Sequence, residues 1–165
     1  MKPLWTKEDL IKATNAVMPT LNFLEESTKE IYGISVNERT LQKGDLFIAL
    51  KGKKFNGHDF IESAIKKGAV VVIVSNPKLA KKHSALLVED TKEALKNMAY
   101  FSRNRFQGQT IAITGSTGKT STNNLITSSL KCHGKTHSTD GNNNNLLGLT
   151  LTLSRLPQDF DYCVL

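Results

Sequence analysis

The sequence predicts an α/β protein built on a mostly parallel sheet, and three observations predict it. Apolar runs of strand length alternate with segments whose apolar residues recur at helical spacing, first over residues 45–74 and again over residues 85–130. One of these runs, residues 110–113, passes directly into the glycine-rich stretch Thr114-Gly115-Ser116-Thr117-Gly118-Lys119-Thr120-Ser121 and then into a helical pattern. With 39% hydrophobic and 22% charged side chains in 165 residues, the chain has enough apolar material for one ordinary domain or two small ones, which excludes a disordered or fibrous chain.

Thr6 is placed to cap a first helix that carries Leu10, Ile11, Thr14 and Val17 on one face and is closed by Pro19. A short strand is expected at residues 34–36, a turn at Lys43-Gly44, and a more buried strand at residues 45–50. Residues 51–59 read as a glycine-containing loop. Phe60, Ile61, Ala64 and Ile65 then repeat at helical spacing, Lys66 and Lys67 sit in the last turn, and Gly68 caps it ahead of a strand at residues 69–74. After Pro77 the pattern repeats: a short strand at residues 85–88, then a helix capped by Asp90. Glu93 is expected to reach back to that cap, with Ala94, Leu95, Met98 and Phe101 turned inward and an end near Phe106. Gly108 introduces the strand at residues 110–113, and the helix after the glycine-rich stretch runs through Leu130. A domain boundary is expected between Pro77 and Gly108, near Ser84, which gives units 1–84 and 85–165. Residues 161–165 read as an apolar strand. A parallel strand normally leads into a further crossover, so a truncated second domain with a sheet edge exposed at Leu165 is expected.

No stretch approaches the roughly 20 apolar residues needed to cross a bilayer, and the first residues lack an apolar leader core, so a soluble cytoplasmic protein is expected. Cys132 and Cys163 lie in different segments without the spacing of a disulfide framework or a zinc site and read as ordinary thiols. The formal charge of +7 suits an anionic partner, whether nucleic acid or a nucleotide-linked metabolite. The lysines come in short groups at 51–54, 66–67 and 81–82 with no interleaved aromatics, which is the pattern of a solvated basic face. His83, His133 and His137 carry no motif and are expected on the surface.

The densest chemistry lies at residues 114–121. Its glycines let backbone N–H groups point at phosphate oxygens, the following helix N-terminus adds partial positive charge, Lys119 can reach the β- and γ-phosphates, and the Thr120 hydroxyl can ligate Mg²⁺. That is the apparatus of a nucleoside triphosphate site. It departs from the strict G-x-x-x-x-G-K-[ST] pattern, because Ile113 stands in the place of the first glycine. Upstream, Arg39 offers a planar fork for phosphate, and the backbone around Gly57 can approach a ligand closely. A lone histidine such as His58 is also a common structural hydrogen-bonder, and the asparagines at 142–145 equally suit a polar loop whose side chains cap local backbone.

The stretch TGSTGKTS resembles the phosphate loop of the Mur ligases. Gly141-Asn142-Asn143-Asn144-Asn145-Leu146-Leu147-Gly148, followed by Leu149-Thr150-Leu151-Thr152-Leu153, is similar to the GNxNNxxGxPLTL segment of the branch of that family that adds D-Ala-D-Ala. Gly44-Asp45-Leu46-Phe47-Ile48-Ala49-Leu50-Lys51-Gly52 and Phe55-Asn56-Gly57-His58-Asp59-Phe60 resemble the N-terminal domain of the same branch, which holds the UDP-sugar end of its substrate. Arg39 stands where the family has the Arg of a D-[ST]-R motif, here preceded by Asn37-Glu38.

The resemblance implies a small N-terminal α/β substrate domain, then the start of a P-loop, Rossmann-like ATPase domain with a parallel sheet. It implies an ATP-dependent ligase that activates the carboxylate of UDP-MurNAc-peptide as an acyl phosphate and passes it to the amine of D-Ala-D-Ala, with ATP and Mg²⁺ as cofactors. Lys119 and Thr120 would be catalytic, Thr120 also the metal ligand. Gly115, Ser116, Thr117, Gly118, Lys119, Thr120 and Ser121, with Asn144 and Asn145, would surround ATP. Arg39, Lys51, Asn56, Gly57 and His58 would contact the UDP-linked substrate. A monomer in the cytoplasm with no nucleic-acid partner is implied. The family's second magnesium-binding acid, modified lysine and amino-acid-binding domain are expected beyond Leu165, so this polypeptide is not expected to ligate alone. Two further readings stand beside this one: another Mur-type or folylpolyglutamate-type amide ligase, and a basic nucleic-acid-binding module.

Overall fold

Apolar, β-branched runs flanked by helices favour parallel pairing, and every strand pairing among the described residues is parallel. The computed structural model describes residues 2–17, 30–52, 55–139 and 145–165. The chain divides into two compact units, Met1–Met98 and Ala99–Leu165. Leu86 and Leu87 pair with the first sheet, opposite Ile73 and Val74.

In the first unit, α1 (Lys7–Thr14) starts where the Thr6 hydroxyl accepts the Asp9 N–H at 3.1 Å and stops at Asn15, whose φ of 51° is left-handed. That stop takes Val17 off the expected helical face. Val17 instead forms an antiparallel bridge with Leu87 and is 64% exposed. Pro19 lies outside the described residues.

The sheet comprises β1 (Gly33–Ser35), β2 (Asp45–Ile48), β3 (Val71–Val74) and β4 (Leu86–Leu87), in the order β1-β2-β3-β4. Every residue of β2 and β3 is buried, which follows from their central position between covered faces. Ile34 lies opposite Leu46, and Leu46 and Ile48 lie opposite Val71 and Ile73. Phe47, Val72 and Val74 pack with Ile61 and Ala64 from α2 (Ile61–Lys66) and with Ala80 from α3 (Pro77–His83).

Part of the expected loop at residues 51–59 carries local structure on the described residues. Lys51 and Asn56 form an antiparallel bridge, and a 3-10 turn spans Gly57–Phe60. Helix α3 was not foreseen: after Pro77 the next element expected was the strand at residues 85–88. Proline stands at its first turn, where a missing N–H costs nothing, and Asn76 Oδ1 accepts the N–H groups of Lys78 and Leu79 at 2.9 and 3.4 Å.

Helix α4 (Thr91–Arg105) spans the division. Asp90 caps it as expected, taking the Lys92 N–H at 2.6 Å and the Glu93 N–H at 3.1 Å. Glu93 does not reach back to that cap; it pairs with Lys96 at 3.2 Å, one turn along the exposed face. Ala94, Leu95 and Met98 are buried, and Phe101 is half-buried.

The second unit holds β5 (Gln109–Ile111), α5 (Lys119–Lys131), β6 (Thr136–Ser138), α6 (Leu146–Ser154) and β7 (Tyr162–Val164). Its strand order is β5-β7-β6. The strand at residues 161–165 is therefore the interior strand of its sheet, and the expected exposed edge at Leu165 is corrected. The Leu165 N–H donates to the Ile111 carbonyl at 2.8 Å, its carbonyl accepts the Ile113 N–H at 2.7 Å, and on the other side Val164 accepts the Thr139 N–H at 3.2 Å. Phe106, Leu156 and Cys163 form the buried cluster here, with Leu153, Phe160 and Leu165 packed against them. No helix among the described residues is long and apolar enough to cross a membrane.

Candidate nucleotide and substrate sites

The chain leaves the second sheet at the C-terminal end of β5, the end at which open parallel sheets form ligand crevices. Gly118 lies between the loop and α5 with φ 77° and ψ −6°, and a Cβ added there would meet nothing within 4 Å. Its glycine is thus required by backbone conformation and not by crowding. Among the described residues the backbone N–H groups of residues 116–121 find no backbone acceptor; the first bond of the helix runs from the Thr122 N–H to the Gly118 carbonyl at 2.9 Å. Consecutive free donors at a helix N-terminus make an anion cradle. The Lys119 ammonium folds back over the loop and donates to the Gly115 carbonyl. Ser116, Thr117, Thr120 and Ser121 are exposed.

The expected phosphate-binding residues 115–121 are therefore contiguous around one set of free donors. Asn144 lies outside the described residues. Asn145 is the N-cap of α6, its Oδ1 accepting the Gly148 N–H at 2.8 Å, so its oxygen is committed to a helix terminus. His137, expected on the surface, is half-buried: its Nε2 donates to the Thr152 carbonyl at 2.8 Å and its ring meets Phe160 edge-on at 6.3 Å.

In the first unit a cleft of about 650 Å³ opens at the C-terminal ends of β2 and β3, lined by Lys51, Asn56, His58, Asp59, Ser75, Asn76, Pro77, Lys78 and Leu79. Of the five residues expected around the UDP-linked substrate, Lys51, Asn56 and His58 line it. Gly57 stands between two of them, but its constraint is internal. A Cβ there would come within 2.7 Å of the Leu50 nitrogen and 2.9 Å of the Ala49 carbonyl carbon, and the Gly57 N–H donates to the Leu50 carbonyl at 2.8 Å.

Arg39 is not among the lining residues. It sits on the return from β1 to β2, where Asn37 Oδ1 accepts its N–H at 3.0 Å in an Asx turn. Its side chain is 85% exposed and lies 3.6 Å from Glu38. The Glu38 carbonyl in turn accepts the Lys67 ammonium at 2.7 Å. The Asn37-Glu38 pair that departs from the family motif thus builds this turn.

His58 is fully engaged: Nδ1 lies 2.9 Å from Asn56 Oδ1, and Nε2 accepts the Ser75 N–H at 3.0 Å. Burial lowers its pKa below the usual 6.5, Lys51 adds to that, and Asp59 opposes it. Ser75, Asn76 and Lys78 were not foreseen as site residues. The available signal was the Asn76-Pro77 pair directly after a buried strand, at the end of a parallel sheet where ligands bind.

Residues 30–112 match the family model described as Mur ligase family, catalytic domain, and residues 113–165 match the Mur ligase middle domain. The chain belongs to the Mur ligase family. Among curated Mur ligases it is 40% identical over 136 residues to the UDP-N-acetylmuramoyl-tripeptide--D-alanyl-D-alanine ligase of Synechocystis sp., covering 81% of this chain and 30% of that protein. It is 39% identical over 132 residues to the enzyme of the same name from Escherichia coli, covering 80% and 29%. Among solved structures, MurF from Acinetobacter baumannii matches with a TM-score of 0.81 at 32% identity, over 100% of this chain and 36% of that one. The MurF ligase of Thermotoga maritima in complex with ADP matches with a TM-score of 0.62 at 32% identity, over 80% and 31%. The chain thus spans about 30% of the length of the curated Mur ligases it matches. The expected α/β architecture with parallel sheets is that of these Mur ligase structures.

Proposed function

We propose that this chain supplies the precursor-holding and phosphate-binding parts of an ATP-dependent ligase that joins D-Ala-D-Ala to UDP-N-acetylmuramoyl-tripeptide. The observation that carries the reading is the run of free N–H groups at residues 116–121, set by the left-handed Gly118 and flanked by Lys119. A triphosphate fits that donor set: it is anionic, and among the described residues no backbone acceptor competes for these N–H groups. ATP would supply the phosphoryl group that makes the peptide's terminal carboxylate an acyl donor for the amine of D-Ala-D-Ala.

In this reading the backbone of Ser116, Thr117 and Gly118 holds phosphate, and Lys119 exchanges the Gly115 carbonyl for phosphate oxygen, placing a full charge where negative charge accumulates. Among the described residues no cluster of three His, Cys, Asp or Glu side chains could hold a metal ion. The Thr120 hydroxyl is the group that would hold Mg²⁺, which would supply charge neutralisation at the phosphates. Lys51, Asn56 and Lys78 face the cleft in which the UDP-linked precursor would lie. The same reading makes the protein cytoplasmic and monomeric, with small-molecule partners.

Calorimetric titration of the chain with Mg-ATP and, separately, with UDP-N-acetylmuramoyl-tripeptide tests the reading. Saturable binding of both supports it. Binding of the dipeptide precursor in preference to the tripeptide would move the chain to a branch of the family that adds the third residue, and binding of neither by folded protein would refute both.

A further inference from the structure

We infer that His58 is a positioning residue, a neutral latch whose ring ties the Lys51–Asn56 hairpin to the end of β3 and so fixes Lys51 relative to Lys78 across the cleft. The inference rests on the reading of that cleft as the precursor-holding site.

Obligate donors fix the state of the ring. The Ser75 N–H, 3.0 Å from Nε2, can only donate, so Nε2 carries no proton. The backbone N–H of His58, 3.2 Å from the Asn56 side chain, can also only donate, which makes the facing atom of Asn56 its oxygen. Nδ1, 2.9 Å from that same oxygen, therefore holds the ring proton. Both nitrogens are used, and neither is left for a ligand.

What the ring joins is the foot of a hairpin to a sheet terminus. Lys51 and Asn56 are bridged, with the Gly52 N–H donating to the Phe55 carbonyl at 2.9 Å. Ser75 directly follows β3, and its hydroxyl lies 3.4 Å from Nε2. The charged groups facing His58 are Lys51 on the hairpin, Asp59 on the 3-10 turn and Lys78 on α3. The Glu62–Lys82 pair, at 2.8 Å, joins α2 to α3.

Protonation would set an Nε2–H against the Ser75 N–H, two donors 3.0 Å apart, and the latch would open. This separates latch from charge. Acidification adds positive charge to the cleft, which by Coulomb attraction alone tightens an anionic ligand. A latch predicts weaker binding.

The test titrates this chain with UDP-N-acetylmuramoyl-tripeptide at about pH 7.5 and about pH 5, the lower value set well below the ordinary histidine range because burial holds the His58 pKa down, for wild type, His58→Gln and His58→Leu. The nitrogen NMR spectrum of the imidazole is recorded alongside. Gln can offer Oε1 to the Ser75 N–H without titrating, and circular dichroism verifies that each variant is folded. The expected spectrum is that of the Nδ1–H tautomer. Wild type binds about tenfold more weakly at the lower pH, the loss of one well-placed hydrogen bond. His58→Gln stays within about threefold of wild type and loses the pH dependence, while His58→Leu is about tenfold weaker at both pH values. An Nε2–H tautomer, tighter wild-type binding on acidification, or undiminished binding by His58→Leu overturns the positioning role alone. Absence of wild-type binding at both pH values overturns the precursor-holding reading and the latch with it.

Discussion

At Gly118 two costs that usually come together are separated, because a side chain there would strain the backbone yet touch nothing within 4 Å. Gly118→Ala should therefore lower stability by about 1 kcal/mol through its φ of 77° alone, seen as a drop of a few degrees in Tm. Lys119→Ala removes the loop's only side-chain cation and should weaken Mg-ATP binding about 30-fold or more by calorimetry, with the melting curve close to wild type. Cys163 offers a different check. Burial in the central strand raises its pKa from 9.0 to about 11, against the opposing pull of Arg103. At about pH 8 only about one thiol in a thousand is then ionised, so brief treatment with iodoacetamide should modify exposed Cys132 and spare Cys163 until the protein is unfolded. Peptide mapping reads the outcome. At this scale the sequence made residue types legible but not their partners. His58 stood out by its motif, yet only the fold reveals that Ser75 takes its second nitrogen. Asn145 looked equally suited to a ligand or a cap, and its oxygen caps α6.

Elements were legible where apolar residues carried the period and obscure where polar residues did the work. Strands β2 and β3 and helix α4 are apolar on their buried sides, and each was expected close to its observed span. Strand β6, Thr136-His137-Ser138, has no apolar alternation, and it forms because β7 offers a free ladder edge. In α6 the run Leu149-Thr150-Leu151-Thr152-Leu153 alternates at strand period but is helical. The Thr150 and Thr152 hydroxyls satisfy themselves on the carbonyls one turn back, Leu146 at 2.7 Å and Gly148 at 2.9 Å, so the polar atoms do not force those positions toward water. The cap of α3 gives a prediction at this scale. Asn76→Ala leaves the Lys78 and Leu79 N–H groups without their acceptor and should cost about 1 kcal/mol by denaturant titration. The same change should disturb the cleft wall, raising the Kd for the UDP-linked precursor while leaving Mg-ATP binding unchanged.

For the molecule as a whole, the charge of +7 was legible at once and told least, since basic chains bind many anions. Its meaning is tested by salt. A nucleotide-sized ligand touches few charges, so its affinity should fall only several-fold between about 50 and about 200 mM salt, whereas a nucleic-acid module making many phosphate contacts would lose a factor of about 1,000 or more. Random duplex DNA should correspondingly fail to displace the UDP-linked precursor at about physiological ionic strength.

The two sheets also differ in how their strand order relates to sequence order, which no periodicity reports. In the first, spatial order follows the chain, β1-β2-β3-β4, whereas in the second β7, the third strand in sequence, lies between the two made before it. On a ribosome the first sheet can grow by one strand at a time, each new strand pairing with a neighbour already outside the exit tunnel. Strands β5 and β6 have no such opportunity: both must wait, unpaired and with their ladder groups in water, until β7 emerges and closes them in a single step. Synthesis thus places a pause between a region that accretes and one that snaps shut. Until residue 162 is made, β5 and β6 would therefore stand open to chaperones and proteases.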